Sequence, residues 1–174
     1  MTTPEALKGL IRDVPDHPRP GILFKDITPL LGDAAAFQAA CEHMAAPFTD
    51  AGVTHVIAIE SRGFLFGGVV AGILGAGLVP VRKPGKLPAA RSREEYALEY
   101  GTDALEMHSD AVGAGSRALI VDDVLATGGT AAATSRLVAR HGATVVGGAF
   151  LIELTFLAGR QALEGLRVES VLAY

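Results

Sequence analysis

The chain predicts an α/β fold, a central, mostly parallel sheet flanked by helices, and three observations carry that expectation. Apolar segments of strand length alternate with segments of helix length through most of the 174 residues, the order expected of repeated βαβ units and a parallel sheet. The strand-like segments are apolar without strict alternation, as strands covered on both faces are. Finally, an apolar run at 118–121 ends in two carboxylates, followed by a small-residue loop and a helix-like segment. Open α/β sheets bind ligands at such places, beyond the carboxyl ends of their strands.

The elements follow in order. Residues 33–51 read as a helix, with Phe37, Cys41, Met44 and Phe48 at four-three-four spacing as one core-facing stripe. Residues 53–60 read as a strand. Residues 64–77 read as a helix that is apolar all round and so expected to be buried. Its glycines at 67, 68 and 72 each cost roughly 1 kcal/mol of helix propensity, which close packing against the sheet would explain. A strand at 78–83, a strand at 116–121, a helix at 130–141, a strand within 143–154, a short helix at 155–163 and a last strand at 168–174 complete the alternation.

Two regions interrupt it. Prolines in 14–31 forbid a long helix and favour extended chain, yet Ile22, Leu23, Phe24 and Ile27 need cover. In 84–108, turn residues and positive charge come first. Two strands follow, 95–100 and 103–108, around a tight turn at Gly101 and Thr102. An excursion this long from a compact domain is usually functional or disordered, and a mobile lid over the site is the expectation.

Composition sets limits. The length suits one domain, 1–174, with a real core. Apolar residues make up 49%, which argues against disorder. No apolar run reaches the ~18 residues of a membrane span, and the first residues lack signal-peptide character. The single cysteine, Cys41, allows no internal disulfide and fits a reducing cytosol. A net charge of −4 argues against general nucleic-acid binding. The five histidines show no metal spacing such as His-Glu-x-x-His, which argues against a zinc site, and no metal ligands are assigned.

The chemistry concentrates at 118–130. The loop Ala126, Thr127, Gly128, Gly129, Thr130 lets backbone N–H groups approach an anion closely, two hydroxyls add donors, and a helix begins there with its positive end at the same spot. That makes a phosphate seat. It is neither a P-loop, since no Lys follows the glycines, nor a G-x-G-x-x-G fingerprint. Asp122 and Asp123 beside it would repel phosphate. They suit hydroxyls, or a metal ion held through water. A phosphate next to a diol is a ribose 5-phosphate.

In this order the motif resembles the signature of type I phosphoribosyltransferases, whose donor is 5-phosphoribosyl-1-pyrophosphate. Further segments narrow the resemblance to adenine phosphoribosyltransferases. Residues 20–31 (PGILFKDITPLL) resemble their amino-terminal hood, placed here at about 1–32. Residues 60–64 (ESRGF) resemble their pyrophosphate loop. Residues 82–88 (RKPGKLP) and 98–101 (LEYG) resemble their lid, about 84–108, and 152–154 and 170–174 also fit. Residues 89–95 match no pattern and are assigned no role.

The resemblance implies a type I phosphoribosyltransferase fold with a hood and a flexible lid hairpin. It implies that adenine and phosphoribosyl pyrophosphate give AMP and pyrophosphate in purine salvage. It also implies Mg²⁺ bound mainly through the donor pyrophosphate and water, a cytoplasmic homodimer, and neither nucleic acid nor membrane as partner. Ala126 to Thr130 would take the 5-phosphate, and Asp122 and Asp123 the ribose hydroxyls. Arg62, Arg82, Lys83 and Lys86 would neutralise the pyrophosphate, and a cis peptide is implied between Ser61 and Arg62. Phe24 would stack on adenine or simply pack the hood. Backbone at Leu23 and Lys25 would read the base edge, and Glu99 would assist proton movement at the purine. Two other readings remain: a transferase for hypoxanthine, guanine, xanthine or orotate, which the donor motif alone allows, and a non-catalytic donor sensor, for which the acidic balance and short amino-terminal segment are poorly suited.

Overall fold

The computed structural model describes residues 2–97 and 101–174. Its elements are α1 (Pro4–Lys8), β1 (Arg12–Pro15), β2 (Leu23–Asp26), α2 (Thr28–Gly32), α3 (Ala34–Ala45), β3 (His55–Ile59), α4 (Gly63–Leu74), β4 (Gly77–Val81), β5 (Arg91–Ala97), β6 (Thr102–His108), β7 (Arg117–Leu125), α5 (Gly129–Ala139), β8 (Thr144–Glu153) and β9 (Val168–Ala173). Short 3₁₀ turns occupy Ala46–Phe48, Thr155–Leu157 and Gly159–Leu163.

The central sheet has the order β4-β3-β7-β8-β9, and every pairing in it is parallel. Successive strand residues point to opposite faces, and the core divides accordingly. Val56, Leu119 and Val121 join α3 and α4 on one face. Ile57, Ile59, Ala118 and Ile120 join Leu137 and Val138 of α5 on the other, with Tyr96, Leu105 and Met107 from the β5–β6 hairpin. From β3 the chain runs outward to β4, and from β7 it runs the opposite way through β8 to β9. The strand order therefore reverses between β3 and β7. A crevice opens at their carboxyl ends, where doubly wound sheets bind ligands.

Local chemistry explains most element boundaries. Thr3 caps α1 by accepting from the Ala6 N–H, with Pro4 preorganised in the first turn. Asp33 caps α3 in the same way through Ala36. Within the expected helix 33–51, Pro47 falls in a 3₁₀ turn, so α3 ends at Ala45 while Cys41, Met44 and Phe48 are all buried. The segment expected as a short helix at 155–163 is instead two 3₁₀ turns separated by Ala158 in the left-handed region. The strand expected at 116–121 runs on to Leu125, because β8 pairs with it as far as Leu125 opposite Glu153.

Two larger expectations are corrected. Helix α4 is not buried all round: Leu65 and Ile73 stand 47% and 43% exposed, and Gly68 and Gly72 have open space beside them. Of the glycines at 67, 68 and 72, Gly67 serves close packing, since a Cβ there would lie 2.5 Å from the Ala58 Cβ of β3. The hairpin begins earlier than expected, at Arg91, and its stem is not loose. Leu105 and Met107 are fully buried, and Glu94 pairs with Arg136 (2.7 Å) and with Arg140 of α5. Residues 91–94, given no role from sequence, thus fasten the hairpin to α5.

Gly67→Ala is expected to lower unfolding free energy by about 1–3 kcal/mol, the usual range for overpacking. Urea denaturation checks this, and an unchanged midpoint would mean that α4 does not pack this closely on β3.

Candidate active site

The carboxyl ends of β3 and β7 bring two loops together. After β3, the chain turns through Glu60, Ser61 and Arg62 into α4. The peptide bond there that is cis joins Glu60 to Ser61, one bond earlier than the resemblance implied. Gly63 is required by proximity: a Cβ would come 2.9 Å from the Val121 carbonyl and 3.0 Å from Asp122 Oδ1. The first loop is thereby pressed against the acidic pair on β7.

Asp122 and Asp123 lie within β7 and not just beyond it. Asp123 is 4% exposed, and its N–H donates to Asp122 Oδ1 at 2.9 Å. Arg62 Nε lies 2.6 Å from Asp123 Oδ2. That buried oxygen accepts no hydrogen bond of good geometry, so the contact is an ion pair with acceptor capacity to spare. Burial, followed by the charge of Asp123, pushes the Asp122 carboxyl well above the ordinary carboxylate range.

The loop 126–130 forms a recess of about 80 Å³ lined by Asp122, Val124, Ala126 to Ala131 and Phe150. Gly128 has φ +81°, and a Cβ there would run into the Gly159 carbonyl. Gly159 in turn packs on Ala126. The loop is thus backed by the turn Gly159–Leu163. Arg160 fixes that turn through two parallel 2.7 Å bonds to Glu153 and a third to the Val168 carbonyl. α5 starts at Gly129 with no side-chain cap, which leaves its first N–H groups free for an anion.

A larger cavity, about 480 Å³, adjoins this recess. Ile22, Leu23, Phe24 and Lys25 form one wall, Ile59 to Arg62 and Lys83 another, and Asp122, Asp123, Val124, Ala126, Thr130 and Leu154 the floor. The hood reaches it as a two-stranded β1–β2 ribbon. Phe24 meets His17 edge-on at 5.0 Å and the Arg62 guanidinium at 5.4 Å from its ring centre. Lys25 anchors the ribbon: its ammonium lies 2.6 Å from Asp13 and 4.1 Å from the centre of the Tyr174 ring.

Most residues singled out in the sequence therefore converge. Leu23, Phe24, Lys25, Ser61, Arg62, Lys83, Asp122, Asp123, Ala126 and Thr130 line the larger cavity, and Thr127, Gly128 and Gly129 the recess. Arg82 and Lys86 do not line either. Both are drawn to Glu60, Arg82 at 3.2 Å. Burial works against ionisation of Glu60, but Lys86 and the Lys83 N–H outweigh it and hold its pKa below the ordinary value. Glu99 and the rest of 98–100 lie outside the described residues.

Sequence reasoning missed Glu60 as a partner, although it was quoted within the loop motif. It also missed Tyr96 and Asp103. Those two face each other across the hairpin, where Ala97 pairs with Thr102; the turn expected at 101–102 would have set Tyr96 opposite Met107 instead, so the sequence reading did not bring them together. Among the described residues no group of three or more His, Cys, Asp or Glu could hold a metal ion, and no helix is long and apolar enough to cross a membrane.

The reversing parallel sheet carries the amide-lined recess and the acidic pair at one crevice, and the family model described as "Phosphoribosyl transferase domain" matches residues 30–164. The adenine phosphoribosyltransferase of Acaryochloris marina is 55% identical over 97% of this chain and 99% of its own length. The crystal structure of the Rhodothermus marinus enzyme of the same name superposes with a TM-score of 0.94 at 56% identity, covering 98% of each chain. That of the Saccharomyces cerevisiae enzyme, complexed with D-2,5-dideoxy-2,5-imino-altritol 1,6-bisphosphate and adenine, gives 0.92 at 39% identity over 97% of this chain and 98% of that one. The chain belongs to the adenine phosphoribosyltransferase family.

The raised pKa of Asp122 has a stability consequence. Its charge is disfavoured in the folded state, so stability falls as pH rises from the ordinary value of 3.8 to the folded pKa, then levels off. Asp122→Asn should match the parent below that window and melt higher above it. Parallel melting curves against pH test this; an equal or lower Tm for the variant at neutral pH would contradict the burial argument.

Proposed function

We propose that the chain transfers the 5-phosphoribosyl group from 5-phosphoribosyl-1-pyrophosphate to adenine, giving AMP and pyrophosphate. The observation that carries this reading is the single cavity that unites the hood residues Leu23, Phe24 and Lys25 with the acidic pair and the edge of the amide-lined recess. A base, a ribose and a phosphate can lie along it in that order.

The N9–C1′ bond forms as the bond from C1′ to the pyrophosphate oxygen breaks on the opposite face, and the N9 proton is lost. The protein's part is alignment, charge complementarity and exclusion of water. The recess from Ala126 to Thr130 takes the 5-phosphate. Asp122 and Asp123 take the ribose hydroxyls, and their charge favours a developing cation on the sugar. Arg62 and Lys83 neutralise the leaving pyrophosphate, and Arg82 and Lys86 join them by exchanging Glu60 for phosphate oxygens. Phe24 stacks on the base while Leu23 and Lys25 backbone groups read its edge. The side chain of Glu99 assists proton movement at the purine once the lid closes.

Mg²⁺ fits this site as a guest of the donor: Asp122 and Asp123, the latter with an oxygen that accepts no hydrogen bond, would hold it through water beside the ribose hydroxyls. When bound, the ion supplies charge neutralisation at the pyrophosphate. The same reading takes residues 1–174 as one domain, the hood at about 1–32 and the lid at about 84–108. Purine salvage in the cytosol, by a homodimer, completes it. The exposed apolar side chains of α4 favour a partner subunit, and burial that pushes the Cys41 thiol up to about 12 leaves the lone cysteine inert.

Radiolabelled donor offered with a panel of bases tests the assignment. Adenine alone should be converted efficiently, and preference for hypoxanthine, guanine, xanthine or orotate would overturn the base assignment while leaving the donor site standing. Asp123→Asn, whose shape is unchanged, should reduce kcat by about a hundredfold through lost alignment, with the melting temperature retained. Near-normal turnover would remove the acidic pair from the mechanism.

A further inference from the structure

The two ends of the proposed donor site are joined by one phenol. Tyr96, 7% exposed on β5, places its hydroxyl between three groups. It donates to Asp103 Oδ2 at 3.1 Å. It accepts from Lys83 Nζ at 3.1 Å and from Thr130 Oγ1 at 3.4 Å. A phenol has one proton to give and two lone pairs to receive, so the hydroxyl is saturated. Lys83 also pairs directly with Asp103. The Tyr96 ring lies beside Gly129, close enough to contact a side chain placed there at 3.7 Å.

We propose that Tyr96 is a positioning residue for the donor: its hydroxyl sets the Lys83 ammonium at a fixed separation from the Thr130 hydroxyl and the recess behind it. This rests on the reading above, in which Lys83 meets the pyrophosphate and Thr130 the 5-phosphate. Lys83 has a long, flexible stem whose ordering would otherwise oppose binding. The phenol and Asp103 restrict it before the donor arrives. Burial disfavours the charge on Lys83, but Asp103 and Tyr96 more than offset this and raise its pKa, so it stays cationic at neutral pH. The bond from Thr130 is the longest of the three. It breaks most readily, freeing that hydroxyl to turn toward a phosphate while Lys83 stays in register.

The test is kinetic. Tyr96→Phe keeps the buried ring and removes only the hydroxyl. The donor KM should rise about three- to tenfold, the worth of one or two net hydrogen bonds. The inhibition constant for pyrophosphate should rise by the same factor, with adenine KM and kcat unchanged. In a Lys83→Met background the same substitution should add nothing to the pyrophosphate constant, since the group it positions is gone. An unchanged pyrophosphate constant in Tyr96→Phe, while Lys83→Met alone weakens pyrophosphate, overturns the inference and spares the site assignment. Equal rises in the adenine and donor KM mean general loosening and also overturn it. If Lys83→Met alone leaves pyrophosphate binding intact, the assignment of Lys83 fails and takes the inference with it.

Discussion

Two carboxylates adjacent in sequence cannot both carry charge cheaply inside a protein, and the site is organised around Asp122 and Asp123. β7 carries them into the crevice because β8 keeps pairing beside it to Leu125. Burial and mutual repulsion outweigh the guanidinium set against them, that of Arg62. The absence of a side chain at Gly63 allows the loop bearing Arg62 to come close enough. The arrangement disfavours the ligand-free state and so favours any ligand bringing hydroxyls or a cationic centre. If the acidic pair binds ligand as proposed, stability is sacrificed there for binding.

The cations show the complementary design. Arg82 and Lys86 rest on Glu60, Lys83 on Asp103, and Arg91 on Glu106 at 3.1 Å. Glu106 also accepts from the Gly85 N–H, and Arg82 bridges to Glu106 through backbone. Positive groups this close together would repel one another if left alone. Pairing them with the chain's own carboxylates keeps them charged and in place; in the proposed reading, an incoming pyrophosphate competes with Glu60 and Asp103 for Arg82, Lys86 and Lys83. A multiply charged donor can, where a simple anion such as chloride cannot. The hairpin stem, fastened to α5 through Glu94, is part of this scaffold.

The sequence revealed the site's chemistry better than its boundaries. The small-residue loop and the acidic pair could be picked out because small residues and paired charges in that order stand out in the sequence, and the structure brings them to adjoining cavities. The exposed face of α4 was not legible, because apolar residues read alike whether they face the core or the outside. The extension of β7 through two aspartates was hidden because strand length is set by the partner strand and not by local composition. Glu60, Tyr96 and Asp103 were missed for a third reason. Their roles depend on pairings between segments, and on a hairpin register, that local composition does not fix.

The central claim is that one sugar phosphate spans the acidic pair and the amide-lined recess. A crystal structure with AMP bound tests it most directly. The phosphate should sit within hydrogen-bonding reach of the backbone N–H groups of residues 126–130, the ribose hydroxyls on Asp122 and Asp123, and the purine against Phe24. AMP bound elsewhere, or reversed so that its base fills the recess, would contradict the account.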